Sequence, residues 1–171
     1  MNSLSTNGKE NTMPTENEKK EGKALERTFA VLPVKPRWAD ALLAGTKKWE
    51  LRTKPLPLGV PVALYATAPE KKVVGAAAFS WAFYAEDAEG LLKLFHDYWL
   101  DPEALGVSRR ELEEYLGGRP VFAHRVAWAE ALAPDARFGL AQAPQGPATV
   151  TVLMQKDEAW ALDAVLGKGV R

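Results

Sequence analysis

The sequence predicts an α+β fold, with one domain of mostly strands and inserted helices behind a disordered tail. Three observations lead to this prediction. The chain has 171 residues and 47% hydrophobic content, which suits one sizeable core and does not require a second domain. Composition changes once, near residue 26, from polar to globular. Beyond that point, apolar runs with a period of two alternate with helical stretches.

The N-terminal segment is rich in Asn, Ser, Thr, Glu, Lys and Gly. Such a composition cannot bury enough apolar surface to offset an ordering entropy of about 1–2 kcal/mol per residue. We therefore predict a disordered tail over residues 1–26 and a folded domain over residues 27–171.

The domain is predicted to begin with a strand, a short helix and a second strand. Residues 29–34, FAVLPV, have the apolar character of a buried strand. Pro36 suits the first position of the following helix, and Gly45 suits its end. The next strand is predicted over residues 47–53.

A hairpin is predicted next, with its turn around Pro69. Gly59 leads its first strand, and Pro61 indicates that this end lies near a sheet edge. Gly75 in its second strand indicates a bulge or close packing.

The second half of the domain mixes helices and strands. Ser108 with Glu111 three residues later has the spacing of a capping box and predicts a helix start. The elements in order are helices at 87–100 and 108–116, a strand at 121–132, a strand at 149–154 and a closing helix at 156–166.

Composition excludes several classes of site. The chain has no Cys, which excludes disulfides, thiol nucleophiles and Cys-ligated zinc, and its two histidines are far apart in sequence. We therefore expect neither a metal nor a cofactor. No apolar run approaches a membrane span, and the polar, acid-bearing N-terminus is unlike a signal peptide. A soluble, cytoplasmic protein is predicted.

The charges are segregated although their total is balanced, at 22 basic and 22 acidic residues. Residues 35–72 contain eight Lys and Arg against three acids, whereas residues 86–114 contain three against nine. The basic segment suits phosphates. The acidic helices suit solvent or a protein partner.

The strand at 47–53 is predicted to have one core face and one charged face. A period of two points Trp49 and Leu51 one way. The opposite face is then charged, at Lys48, Glu50, Arg52 and Lys54. A solvated strand face is the simpler interpretation of this pattern.

The tryptophans and one histidine also have simple structural interpretations. His124 shares a strand face with Phe122 and Val126, so we predict a buried structural histidine. Four tryptophans lie on apolar stripes and are predicted to pack in the core: Trp49, Trp99, Trp128 and Trp160.

An ordered set of short motifs resembles the ASCH (activating-signal-cointegrator homology) family of the PUA-like superfamily. A strand with Tyr65, a following Val74-Gly75 pair and a Pro-Gln loop before the last strand extend the match over most of residues 29–154. The leading motif consists of Lys35, Pro36, Ala39, Gly45, Lys47, Glu50 and Arg52.

The resemblance implies a small PUA-like β-barrel whose cleft is bordered by the basic segment. Glu50 would hold Arg52 or Lys35 in place, or accept a hydrogen bond from a base or a sugar hydroxyl. Arg52 would contact a phosphate or a base edge, and Tyr65 would offer a stacking surface. The implied ligand-binding residues are Lys35, Lys47, Glu50, Arg52, Tyr65, Lys71 and Lys72.

The resemblance supports two function classes. The favoured one is a binding module for RNA or a modified nucleotide, without chemistry and with a possible regulatory role. The alternative is a small hydrolase of acylated nucleosides or RNA, because some ASCH proteins resemble amidohydrolases that use a Lys and a Thr. Lys47 matches that Lys, but Glu50 replaces the Thr and removes its hydroxyl nucleophile. Thr46 and Thr53 are close in sequence without occupying the motif position.

If the protein is an enzyme, Lys47 and Glu50 are its catalytic candidates. A third hypothesis is a regulatory domain whose acidic helices bind a protein partner.

Overall fold

The computed structural model describes residues 23–170 and contains a six-stranded sheet with four α-helices. Within this range, no helix combines the length and apolar character that crossing a membrane requires. The strands are β1 (Leu25–Val34), β2 (Trp49–Arg52), β3 (Val62–Ala66), β4 (Lys72–Ala85), β5 (Val121–Ala131) and β6 (Ala148–Met154). The helices are α1 (Pro36–Leu43), α2 (Ala88–Asp97), α3 (Arg109–Leu116) and α4 (Lys156–Leu166).

The sheet is mixed, with strand order β2-β5-β4-β3-β1-β6. β1 pairs in parallel with β3, and the other neighbours pair antiparallel. The predicted α+β class is therefore confirmed. β2 and β6 form the two ends of this sheet among the described strands, so the sheet is open and the predicted closed barrel is not confirmed.

β1 begins earlier than the sequence predicted. Leu25 and Glu26 pair with Met154 and Leu153 of β6, and Leu25 packs against a core cluster. The tail predicted over residues 1–26 is therefore too long at its C-terminal end, because β6 supplies pairing partners for its last two residues. The rest of the tail, residues 1–22, lies outside the described residues.

Local sequence signals predicted helix ends and one close contact correctly. Pro36 is the first residue of α1, and Ser108 and Glu111 form the predicted capping box at the start of α3. Gly75 lies at a shift in the β3–β4 register, where a Cβ would stand 2.4 Å from the Glu130 carbonyl oxygen. Of the two alternatives predicted for Gly75, a bulge or close packing, the close packing is confirmed.

Pro61 is not at a sheet edge, contrary to the prediction. β3 lies between β4 and β1 in the interior of the sheet. Pro61 is tolerated there because it precedes Val62, the first paired residue of β3, so the N–H that proline lacks is not needed by the ladder.

Two of the four tryptophans predicted to be buried are at the surface. Trp49 is 2% exposed and Trp128 packs against the core, but Trp99 is 96% and Trp160 is 55% exposed. Trp99 follows the end of α2 in a left-handed conformation with φ of 56°, where the chain turns out of the helix. Trp160 lies on α4 beneath the Lys156 ammonium, 4.5 Å from the ring centroid.

Candidate functional site

A cleft of about 450 Å³ opens beside the start of α1, and its walls come from distant parts of the chain. Residues of β1 and α1 form one side, β2 forms the floor, and the β3–β4 turn with the loop before β6 forms the other side. Five of the seven predicted ligand-binding residues line this cleft: Lys35, Glu50, Arg52, Tyr65 and Lys71.

The other two predicted residues lie elsewhere. Lys47 is 2% exposed and lies behind the floor of the cleft. Lys72 is exposed at the start of β4 and does not line the cleft, although it follows Lys71 directly. Lys71 turns toward the cleft from a left-handed backbone conformation with φ of 52°.

Glu50 occupies the floor of the cleft and is 3% exposed. Its Oε1 accepts a hydrogen bond of 2.8 Å from Arg52 Nε, and Arg52 Nη2 donates to the Pro33 carbonyl at 2.7 Å. The simpler interpretation of this face of β2, as solvated, does not hold at Glu50, and the contact of Glu50 with Arg52 is one of the two that the resemblance implied. Period-two alternation places Glu50 opposite the core face correctly, but Trp38 of α1 and Tyr115 of α3 cover that side of the strand.

Lys47 is a buried cation beside this pair. Its Nζ donates to the Leu105 carbonyl at 2.5 Å. Burial lowers the pKa of Lys47, and the nearby Glu50 carboxylate opposes that shift. Gly106, with φ of 69°, makes room for the side chain, since a Cβ there would lie 2.9 Å from the Lys47 Cβ and Cγ.

An inner chamber of about 20 Å³ lies behind the floor of the cleft. Four residues line both the chamber and the cleft: Trp38, Glu50, Leu51 and Tyr115. Lys47 lines the chamber but not the cleft. Within residues 23–170, two buried side-chain atoms have no hydrogen-bond partner, Trp38 Nε1 and Glu50 Oε2. Both belong to this boundary, and buried polar atoms in proteins are normally paired.

Cationic side chains outnumber acidic ones in the lining of the cleft. Lys35 Nζ lies 5.2 Å from the centroid of the Trp38 ring. The nearby acid Glu70 forms a salt bridge of 3.1 Å with Arg137 and not with Lys71. The cleft thus has three cationic side chains, of Lys35, Arg52 and Lys71, against the single carboxylate of Glu50.

Tyr65 is 2% exposed, which leaves little of its ring for the stacking role that the resemblance implied. It contributes to the wall of the cleft from β3.

His124 is a buried structural histidine, as predicted, with 0% exposure. Its Nε2 accepts from the Leu56 backbone N–H at 2.9 Å, so the proton is on Nδ1, which donates to the Glu50 carbonyl at 3.2 Å. Burial lowers the pKa of His124. This side chain fixes the backbone of Glu50 from the opposite strand, β5.

Sequence reasoning missed several residues of the site. Trp38 and Tyr115 lie in sequence stretches with the pattern of an ordinary amphipathic helix. No local pattern distinguishes these two side chains from those of core residues. Gln145 lies in the Pro-Gln loop that resembles the loop of ASCH proteins, and this resemblance is the sequence signal that points to it. Thr67 also lines the cleft, whereas Thr46 and Thr53 do not.

The fold was compared with known protein families, curated proteins and solved structures. No protein-family model and no curated protein matches the chain. The crystal structure of ASCH from Zymomonas mobilis is similar, with a TM-score of 0.58 and 24% identity over 80% of this chain and 94% of that chain. One mutant of that protein is similar at a TM-score of 0.58 and 23% identity, over 80% of this chain and 96% of that one. A second mutant has a TM-score of 0.55 and 23% identity, covering 77% and 91%. These likenesses confirm the ASCH resemblance at the level of the fold.

Proposed function

We propose that this ASCH-fold chain is a binding module for RNA or a modified nucleotide, and that it holds its ligand in the cleft. The observation that carries the proposal is the Glu50–Arg52 pair, which is buried on the floor of an open cleft with one carboxylate oxygen unpaired. An unpaired buried acceptor costs free energy. A ligand that supplies the missing hydrogen bond would recover that cost.

The charge and the size of the cleft support the same ligand class. Lys35, Arg52 and Lys71 outnumber the one carboxylate, so the cleft carries a net positive charge that attracts phosphate. Its volume of about 450 Å³ is within the range of small-ligand sites and far below what a duplex requires. We therefore propose contact with a short single-stranded segment, of which few phosphates are neutralised.

A hydrolase receives less support. Glu50 replaces the threonine nucleophile of the ASCH amidohydrolase pattern. Its Oε1 is held by Arg52, and the Lys47 ammonium donates to a backbone carbonyl. These contacts suit the binding and orientation of a ligand.

A protein-binding role for the acidic helix α3 receives less support. On α3, Glu113 pairs with Arg109 and Glu114 pairs with Arg110, each one helical turn away. These acids are already compensated on their own helix.

Two adjacent lysines provide a matched test of the proposal. Lys71 lines the cleft and Lys72 does not, so the variants Lys71→Ala and Lys72→Ala remove the same charge from inside and outside the site. Fluorescence polarisation with a labelled single-stranded RNA pool should show a several-fold loss of affinity for Lys71→Ala and less than about twofold for Lys72→Ala. With two or three phosphates neutralised, log affinity should fall against log salt with a slope of about −1.4 to −2.1. Equal losses in the two variants, or no RNA binding, would contradict the proposal.

A further inference from the structure

We infer that the cleft takes one unpaired nucleotide with its base inward, and that Glu50 Oε2 and Trp38 Nε1 read the edge of that base. This inference rests on the proposed function and specifies its ligand. It starts from the two buried side-chain polar atoms that have no partner within residues 23–170, which belong to residues lining the same chamber and the same cleft.

The size of the chamber determines which part of a ligand reaches these atoms. A volume of about 20 Å³ holds roughly one water-sized group. A ring does not fit there, but an N–H or an exocyclic group at the edge of a ring does. Since Trp38 and Glu50 line both the chamber and the cleft, a base lying in the cleft would present its edge to these two side chains. Their unpaired polar atoms are buried, so the base edge would have to enter the chamber to pair with them.

The chemistry of the two atoms selects the ligand group. A carboxylate oxygen only accepts hydrogen bonds, and an indole N–H only donates. The complementary group must place a donor beside an acceptor, as the Watson–Crick edge of a nucleobase does. A phosphate offers acceptors alone and is repelled by Glu50, so it belongs with Lys35 and Lys71 at the mouth of the cleft. In a base pair this edge is already occupied, and the nucleotide must therefore be unpaired.

Arg52 determines which oxygen of Glu50 is free. Its Nε donates to Oε1 while its Nη2 donates to the Pro33 carbonyl, so the guanidinium is held at both ends. In a Glu50→Gln variant, Arg52 would keep the amide oxygen on its own side. The amide NH₂ would then replace Oε2, which changes the free acceptor into a donor with little change in shape. This variant inverts the hydrogen bond that the proposed base would make.

The test is isothermal titration calorimetry of the full chain with AMP, GMP, CMP, UMP and ribose 5-phosphate. We expect the best nucleotide to bind at least tenfold more tightly than ribose 5-phosphate. Glu50→Gln should lose at least tenfold for that nucleotide while its affinity for ribose 5-phosphate is unchanged. Glu89→Gln, which removes the same charge from an exposed position on α2, should bind as the wild type does.

Trp38→Phe provides a second variant that keeps most of the aromatic surface and removes the N–H donor. Its affinity for the nucleotide should fall several-fold. It keeps the inference testable if a thermal melt shows that Glu50→Gln is not folded. Ribose 5-phosphate that binds as well as every nucleotide, or nucleotide affinity unchanged in both variants, would overturn base reading. RNA binding without binding of any mononucleotide would overturn this inference and leave the proposed function standing. If the chain binds neither RNA nor any mononucleotide, both this inference and the proposed function are overturned.

Discussion

Two Arg–carboxylate pairs in this molecule have nearly the same length and very different surroundings. Arg52 donates to Glu50 at 2.8 Å, with side chains 19% and 4% exposed. Arg110 donates to Glu114 on α3 at 2.7 Å, with side chains 87% and 63% exposed. Distance alone therefore does not distinguish a pair on a helix surface from a buried pair that lines the cleft. The distinguishing features are burial and the unpaired oxygen that Glu50 retains.

The surroundings determine what each pair contributes to stability. An exposed pair contributes about 0–1 kcal/mol, because water and salt screen its charges. Removal of one partner from a buried pair costs about 3–5 kcal/mol, because the other charge is left buried without compensation. The comparison between the cleft pair and the α3 pair therefore makes predictions of different size.

The largest expected effect is the loss of stability in Arg52→Ala. This variant leaves the Glu50 carboxylate buried without its partner, and we expect a loss of about 3 kcal/mol, the low end of the buried range because Arg52 is partly exposed. Arg110→Ala, the matched control on α3, should change stability by less than about 1 kcal/mol. Urea unfolding measures both. Similar losses in the two variants would show that burial does not distinguish the pairs.

A smaller effect concerns Lys47, the buried cation that lines the chamber. Because burial lowers the pKa of Lys47, the unfolded chain binds this proton more tightly than the folded chain does. Below the lowered pKa the protonated amine carries its full burial cost, and this cost disappears as pH rises toward 10.5. The free energy of unfolding of the wild type should therefore rise relative to that of Lys47→Met as pH increases from the lowered pKa of Lys47 to 10.5. A difference that does not vary with pH would mean that the lysine is not desolvated.

His124 gives a similar effect on the acid side, expected to be smaller still. Its pKa is lowered from 6.5 by burial, so just below pH 6.5 His124 binds a proton in the unfolded chain but stays neutral in the folded chain. The stabilisation from a neutral His124 is complete above pH 6.5 and declines as pH falls toward the lowered pKa. Thermal melts should show a steeper loss of stability below pH 6.5 in the wild type than in His124→Asn. Parallel slopes would contradict this assignment.

We expect the protein to have no hydrolase activity on acetylated cytidine. Incubation with acetylated cytidine should release no acetate, because Glu50 stands where the resemblance to ASCH amidohydrolases implies a threonine nucleophile, and its Oε1 is held by Arg52. Chromatography of the nucleoside measures this. Catalytic release that Lys47→Ala or Glu50→Gln abolishes would favour the hydrolase instead.

The sequence predicted what local rules determine. Pro36 at the start of α1, the Ser108–Glu111 capping box and the close packing at Gly75 each depend on a few neighbouring residues. The order of strands and helices followed from periodicity for the same reason. These elements are confirmed because backbone geometry and local hydrogen bonds favour the same structure at each position.

The sequence did not predict what distant segments determine. Alternation within β2 places Glu50 opposite the core face, but its burial depends on Trp38 and Tyr115, which lie in helices on either side in sequence. Trp99 was predicted in the core because it lies on an apolar stripe of the helix predicted over residues 87–100, but α2 ends at Asp97 and a turn there exposes Trp99. The open sheet likewise depends on which strands pair, and no single strand encodes that.

The most direct test of the cleft as the ligand site uses the indole N–H signals of the tryptophans in a ¹H–¹⁵N correlation spectrum. Trp38 lines the cleft, whereas Trp99 and Trp160 are exposed and do not line it. Trp38→Phe assigns the first signal by its disappearance. On titration with short single-stranded RNA, the Trp38 signal should shift while those of Trp99 and Trp160 stay in place. A shift at Trp99 or Trp160 with the Trp38 signal unmoved would contradict the account.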